Sequence, residues 1–227
     1  MPTETLPTLA DVIRRLDASI VGIAGPPGGG KSTLARATAA SLGDALAVST
    51  DDYYLSKEER RSRGMKFRGP PGSHDVAGLV ALLDAVRSGR GPLTVRRFSS
   101  ELDDRLEPET YEEVPRWFLL EGLILGYRGN GYGAILDRLD LFVFLDVDEE
   151  TAKARRFARE AELRRHGGGF SEQEMQAFWD EVLQPAIEQW VRKARDESDL
   201  MIRVGKQNEI VSAKASNEAV LSALRPR

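Results

Sequence analysis

Gly25-Pro26-Pro27-Gly28-Gly29-Gly30-Lys31-Ser32-Thr33 sets a glycine, four residues and then Gly-Lys-Ser in one run, which is the P-loop pattern. Before it lies Ile20-Val21-Gly22-Ile23-Ala24, apolar and β-branched enough for a buried strand. After it, Leu34-Ala35-Arg36-Ala37-Thr38-Ala39-Ala40 is built from good helix formers. Strand, glycine loop and helix are the context the pattern needs. Gly28, Gly29 and Gly30 carry no Cβ, so the chain can curl with its N–H groups turned inward. The helix start adds unpaired N–H groups and the positive end of its dipole. Gly25, Gly28, Gly29, Gly30, Lys31, Ser32 and Thr33 are thus expected to cradle nucleotide phosphates. Lys31 would bridge the β- and γ-phosphates and the Ser32 hydroxyl would ligate Mg²⁺. Pro26 and Pro27 stiffen the front of the loop and donate no N–H.

Composition narrows the setting. The 227 residues suffice for one domain, 1–227, with a full core. Cysteine is absent, so neither a disulfide framework nor a thiolate metal site can form. The net charge of −4 argues against a general nucleic-acid binder. Met1–Pro7 has no basic stretch and no apolar run, and Leu139–Val147 is too short and too acidic to span a bilayer. A cytoplasmic location is therefore expected, with neither membrane nor nucleic acid as partner.

Other strands point to the same edge. Ala45 to Thr50 reads as a strand running into Asp51-Asp52-Tyr53-Tyr54. Ligands of open α/β sheets bind beyond the carboxyl ends of the strands. One carboxylate there can take a proton from a substrate hydroxyl while the other stays near the metal or anchors the loop. Arg116 to Leu120 is an apolar strand ending in Glu121-Gly122, where a carboxylate can hold Mg²⁺. Leu141 to Asp148 is a further buried strand. It leads into an arginine-rich helix from about Glu149 to Arg165 that carries Arg155, Arg156 and Arg159. With Gly167-Gly168-Gly169 as a hinge, residues 151–170 read as a lid closing over phosphates. A solvated face with pairs such as Arg156–Glu160 is the plainer reading.

Between these lies a segment of about 54–105 that reads as a substrate-binding excursion. Ser56 to Asp75 is basic and rich in glycine and proline, with Arg68 and His74 candidates for an anionic substrate and a solvated charged loop an equal reading for Arg60, Arg61 and Arg63. Asp75 caps an amphipathic helix over Val76–Val86. Leu93 to Phe98 reads as a strand, with Arg97 and Arg105 as further candidates for holding substrate. Ser171 and Glu174 form a capping-box pattern for a helix toward Pro185. Leu200 to Val204 is a last strand, followed by Gly205-Lys206-Gln207-Asn208-Glu209 as a possible adenine contact. Val211 to Leu224 reads as a closing helix.

Taken together, these motifs resemble one family group. The glycine loop, Asp51-Asp52-Tyr53-Tyr54, Arg68-Gly69-Pro70-Pro71-Gly72-Ser73-His74-Asp75, Leu120-Glu121-Gly122 and Ala154-Arg155-Arg156-Phe157-Ala158-Arg159 follow the order of the phosphoribulokinase, uridine kinase and pantothenate kinase group of P-loop kinases. The Gly-Pro-Pro-Gly-Ser-His-Asp stretch is most similar to D-glycerate 3-kinases of the plant and cyanobacterial type. The resemblance implies a three-layer αβα sandwich with a mostly parallel sheet and a helical lid. It also implies transfer of the γ-phosphoryl of ATP, with Mg²⁺, to a hydroxyl of a small metabolite, with D-glycerate or a related organic acid as the candidate anionic acceptor. Asp51 matches the base, Tyr54 a substrate contact, Glu121 the acid on the next strand, and Arg155 and Arg159 the lid arginines. Glycerate kinases tend to read Val-Pro-Arg-Tyr-Asp-Lys-Ser where this chain has Val95-Arg96-Arg97-Phe98-Ser99-Ser100-Glu101, and Pro-Ala-Tyr where it has Pro185-Ala186-Ile187. Uridine or another nucleoside and pantothenate are the alternative acceptors. A nucleotide-dependent switch without an acceptor is the alternative from another class; no Asn-Lys-x-Asp guanine motif is present to support it.

Overall fold

The computed structural model describes residues 7–207 and 209–225. Asn208 and the first six residues lie outside that range, so the expectations placed on them concern undescribed residues.

The core is a six-stranded sheet. Its strands are β1 (Ile20–Ala24), β2 (Ala45–Ser49), β5 (Trp117–Glu121), β6 (Leu141–Asp146), β7 (Leu200–Val204) and β8 (Ile210–Ala215). Their spatial order is β2-β5-β1-β6-β7-β8. All neighbours are parallel except β8, which runs antiparallel to β7 at the edge. Every residue of β1 and β5 is buried. Parallel strands covered on both faces must be apolar throughout, and that made these runs readable in advance.

Helices cover both faces. On one side α1 (Leu9–Leu16), α2 (Lys31–Leu42) and α10 (Glu218–Leu224) pack Ile13, Ala35 and Val220 against Val21, Leu119 and Val143. On the other, α4 (Val76–Ser88) and α5 (Gly133–Leu136) pack Leu79, Leu83 and Ile135 against Ile20, Phe118 and Phe142. The same face is completed by α8 (Gln184–Ala186) and α9 (Arg192–Glu197), with Trp190 between them. The result is the expected three-layer α/β architecture with a mostly parallel sheet.

Three local expectations are corrected and one strand is added. The added strand, β4 (Asp104–Tyr111), pairs antiparallel with β3 (Leu93–Ser99) in a separate two-stranded sheet. The Val211–Leu224 segment is not one helix, because β8 takes its first residues and α10 begins at Glu218. A short helix, α3 (Lys57–Ser62), interrupts the basic loop, capped reciprocally by Ser56 and Glu59. From α7 (Glu172–Phe178) the chain stays helical through Glu197. It passes through two wider π-type segments, Trp179–Leu183 and Ile187–Val191, rather than breaking at Pro185.

The arginine-rich helix α6 (Glu149–Arg165) is held from both ends. Asp148 caps its start by accepting from Thr151 N–H at 2.9 Å. Beyond its end, Phe170 joins Phe67 and Phe178 in a satellite apolar cluster, and Phe157 of α6 joins the same cluster at Trp179. No described helix is long and apolar enough to cross a membrane.

Candidate active site

The loop from Gly25 to Gly30 takes its shape from three glycines with positive φ: 152° at Gly25, 82° at Gly28 and 92° at Gly30. Gly28 is also a contact point. A Cβ there would lie 2.2 Å from the Ala152 carbonyl and 3.0 Å from the Arg156 nitrogen, both backbone atoms of α6. The loop and the arginine-rich helix therefore touch backbone to backbone.

Lys31 opens α2 and is buried, its Nζ donating to the Gly25 carbonyl at 3.0 Å and the Pro26 carbonyl at 2.9 Å. Burial pushes the ammonium pKa down, against the pull of the Glu121 and Asp51 carboxylates and with the aid of Arg159. One turn-face away, Ser32 Oγ donates to Glu121 Oε1 at 2.8 Å. Burial pushes the Glu121 carboxyl up, while Lys31 and the Ser32 hydrogen bond oppose the shift. Gly122 lets β5 end against Thr50, whose Oγ1 stands 1.8 Å from where a Cβ would be.

Residues Thr50–Tyr53 form a single 3₁₀ turn capped by Ser49, which accepts from Asp51 N–H at 3.2 Å. This turn separates the two adjacent aspartates. Asp51 is exposed, and its carboxylate acts on Lys31, Glu121 and the Tyr54 phenol. Asp52 points the other way, accepting from Ser49 N–H and Phe98 N–H and pairing with Arg97 at 3.3 Å. Burial pushes Asp52 up and Arg97 pulls it down. Arg97 is shared with Glu109 at 2.7 Å and the Tyr111 hydroxyl at 3.0 Å. Asp52 and Arg97 thus clamp the 3₁₀ turn to the β3–β4 hairpin.

A second wall, next to Asp51, is built on a short antiparallel bridge between Tyr54 and His74. Leu55 N–H donates to the Ser73 carbonyl and Asp75 N–H to the Tyr53 carbonyl. The rings of Tyr54 and His74 lie 4.4 Å apart, with Phe98 edge-on to Tyr54 at 5.3 Å. Burial alone lowers the His74 pKa to about 3, so the ring is neutral. Around Phe98 stand two guanidinium groups, Arg60 and Arg68, which share one carboxylate of Asp103 at 2.8 and 2.7 Å. Arg105 donates to the Tyr54 carbonyl at 3.1 Å and pairs with Glu59.

The arginine-rich helix divides its side chains. Arg155 donates to the Gly205 and Lys206 carbonyls, both at 2.9 Å, tying α6 to the β7–β8 turn. Arg156 pairs with buried Glu160, which also accepts from Phe170 N–H. Arg159 is exposed on the side that acts on Lys31.

The sheet edge therefore brings Lys31, Ser32, Asp51, Glu121 and Arg159 together, with Tyr54 beside Asp51 and the His74 ring packed on Tyr54. Asp52 and Arg97 are committed to one another, and Arg155 to the β7–β8 turn. Sequence reasoning missed Arg60, which lay in a run of arginines that looked solvated and is 4% exposed. It also missed Tyr132, whose hydroxyl lies 3.1 Å from His74 Nδ1. The donors fit Mg²⁺, which takes one or two protein oxygens and completes its shell with phosphates and water. Ser32 and Glu121 offer oxygen only, and no larger metal-ligating cluster occurs among the described residues.

Comparison with known proteins bears on this geometry. The family model described as "Phosphoribulokinase / Uridine kinase family" matches residues 20–211. A pantothenate kinase of Psychromonas ingrahamii is 27% identical over 222 residues, which cover 85% of this chain and 69% of that protein. A uridine kinase of Staphylococcus epidermidis is 26% identical over 199 residues, covering 85% of this chain and 90% of that one. Among solved structures, D-glycerate 3-kinase from Cryptococcus neoformans superposes with a TM-score of 0.71 at 18% identity, over 90% of this chain and 96% of that chain. That likeness is one of fold.

Proposed function

We propose, on the premise that the chain belongs to the phosphoribulokinase/uridine kinase family of P-loop kinases, that it phosphorylates a small hydroxy acid, with D-glycerate the first candidate. Family membership makes the chain an ATP-dependent phosphotransferase with a hydroxylated small-molecule acceptor, and kinases of this family in general use ATP and Mg²⁺. The acid is our own inference. Its single supporting observation is that Arg60 and Arg68 share one carboxylate on the acceptor side. Asp103 and Arg60 hold the Arg68 guanidinium in place beside Phe98, and a guanidinium so fixed is suited to a carboxylate or phosphate.

In this reading Lys31 and the loop N–H groups hold the β- and γ-phosphates, so Lys31 exchanges the Gly25 and Pro26 carbonyls for phosphate oxygens. Ser32 and Glu121 would hold Mg²⁺, which neutralises phosphate oxygens when bound. Asp51 takes the proton of the acceptor hydroxyl as that oxygen attacks the γ-phosphorus. Tyr54, His74 and Arg68 orient the acceptor, and Arg105 fixes the Tyr54 backbone. Arg159 faces the charge that spreads over the transferring group.

A panel of D-glycerate, pantothenate and uridine, read by ADP release, tests the proposal. Turnover with D-glycerate or pantothenate and none with uridine is expected. Pantothenate is the second reading, favoured by the relatives' identity, and it too carries a carboxylate. Uridine as the sole substrate would refute the anionic acceptor.

A further inference from the structure

We propose that Tyr132 is a positioning residue. Its hydroxyl donates to Nδ1 of His74 and fixes the imidazole as the Nε2–H tautomer, so that Nε2–H is a neutral donor for an acceptor oxygen. The inference rests on the kinase reading for the identity of that oxygen, but not for the tautomer.

The tautomer follows from counting protons. Tyr132 is 1% exposed and follows a turn in which its own N–H donates to the Gly129 carbonyl. Its hydroxyl oxygen accepts from Gly72 N–H at 2.9 Å. Burial pushes the phenol pKa up, and the Gly72 and His74 N–H groups oppose this, so the phenol keeps its proton at neutral pH. Among the described residues that proton has one acceptor, His74 Nδ1 at 3.1 Å. Ser73 Oγ also lies 3.4 Å from Nδ1, but its proton goes to the Pro70 carbonyl at 2.7 Å while it accepts from Gly69 N–H. Nδ1 is therefore an acceptor, and a neutral imidazole with a bare Nδ1 carries its proton on Nε2.

That Nε2 is buried and has no partner among the described residues. A buried donor without a partner is costly, so native structures satisfy nearly all of them. Here the residue that carries the donor forms a bridge with Tyr54, whose phenol faces the Asp51 carboxylate. In this proposal an acceptor oxygen supplies the partner that the described residues do not. A neutral donor complements the cationic Arg60–Arg68 pair: one selects an uncharged oxygen, the other a charged group. A hydroxy acid offers both.

The chain has only two histidines, His74 and exposed His166, so long-range ¹H–¹⁵N spectra of the full protein can be assigned. His74 should show a bare Nδ1 and a protonated Nε2, and its Nε2 signal should move when D-glycerate is added with a non-hydrolysable ATP analogue. Tyr132→Phe should lose the single tautomer and raise the KM for D-glycerate about tenfold, the loss of one hydrogen bond. Its kcat and its KM for ATP should stay within about twofold. A protonated Nδ1 in the wild type, or Tyr132→Phe with unchanged spectrum and KM, would overturn the proposal. Should Tyr132→Phe not fold, the wild-type spectrum decides the tautomer. His74→Leu, if its acceptor KM matched the wild type, would refute the contact. Inactivity toward every acceptor with the Nε2–H signature present would refute the kinase reading and the acceptor contact, and leave Tyr132 as the residue that sets the tautomer.

Discussion

Ser32 Oγ donates to Glu121 Oε1 at 2.8 Å, joining the first turn of α2 to the last residue of β5. The two groups come from elements 89 residues apart in sequence, yet β1 and β5 are adjacent parallel strands, so their carboxyl ends meet. Burial pushes the Glu121 carboxyl up despite the Lys31 ammonium nearby. A carboxyl raised in the folded state binds more protons folded than unfolded, so stability falls as pH rises through its raised pKa. Its charge at neutral pH is thus a cost in the ligand-free protein. Glu121→Gln should raise the ligand-free Tm at pH 7, and the gain should shrink as the pH is lowered and the wild-type carboxyl takes up its proton. The same variant should lose phosphotransfer about 100-fold or more and require more Mg²⁺ for half-maximal rate. Thermal melts and a Mg²⁺ titration of the rate check both. A lower Tm together with wild-type Mg²⁺ dependence would show that the carboxylate is structural.

Asp51 and Asp52 are adjacent, but the 3₁₀ turn gives them different neighbours. Asp52→Ala should remove the acceptor for Ser49 N–H, Phe98 N–H and Arg97 together and lower stability by about 1–3 kcal/mol, the range for hydrogen-bond partners left unmade. Asp51→Asn should leave the Tm unchanged and slow transfer by about 10²–10⁴-fold, the range for a lost general base. Binding of an ATP analogue, measured by calorimetry, should survive the Asp51 change. Wild-type turnover by Asp51→Asn would remove it from the mechanism.

Arg68 should discriminate by charge. Arg68→Gln should raise the KM of a carboxylate acceptor about 10–100-fold, as expected for a lost charge-assisted contact. Any turnover of uridine should be unaffected. Equal losses for charged and neutral acceptors would show that Arg68 only holds Asp103 and the Phe98 ring in place.

What could be read in advance follows burial. β1, β5 and β6 are covered on both faces, so their runs are apolar whatever their partners. The motifs at their ends were equally local: Gly30-Lys31-Ser32 and Glu121-Gly122 each sit at a strand end. β4 was invisible because Asp104–Tyr111 is a mostly exposed hairpin arm with Pro108 in it, defined by pairing with β3 rather than by pattern. The sequence of β8 reads as helix from Val211 because it contains alanine and lysine and carries no breaker; pairing with β7 at the sheet edge overrides that preference. Arg60 and Tyr132 matter through partners 43 and 58 residues away. No spacing rule reaches that far.

Gly28 tests the contact between the phosphate loop and α6. Its φ of 82° disfavours any side chain, and a Cβ would strike the Ala152 carbonyl. Gly28→Ala should cost about 1–3 kcal/mol and raise the KM for ATP, because α6 must move away for the loop to keep its curl. Gly43→Ala is the control: its φ is also positive, at 89°, but nothing lies within 4 Å of a Cβ there. It should lower the Tm by a similar strain term without touching the KM for ATP. Equal KM values in the two variants would mean that the loop does not depend on α6.

Arg155 and Arg159 stand one turn apart on α6 and should fail in different ways. Arg155 spends its donors on the Gly205 and Lys206 carbonyls, so Arg155→Ala should loosen the β7–β8 turn. Its effect should fall on the KM for ATP and on the choice between ATP and GTP, with kcat changed less than about threefold. Arg159 has no ion pair among the described residues, and its charge reaches Lys31. Arg159→Ala should lower kcat about 10²-fold or more, with a much smaller change in the KM for ATP, because its charge is needed when the phosphoryl group transfers. Arg159→Lys should restore part of that loss, since position and charge are kept while the guanidinium fork is lost. If Arg155→Ala instead abolished kcat while Arg159→Ala changed only KM, the phosphate-facing arginine would be Arg155, and α6 would have to release the β7–β8 turn during turnover.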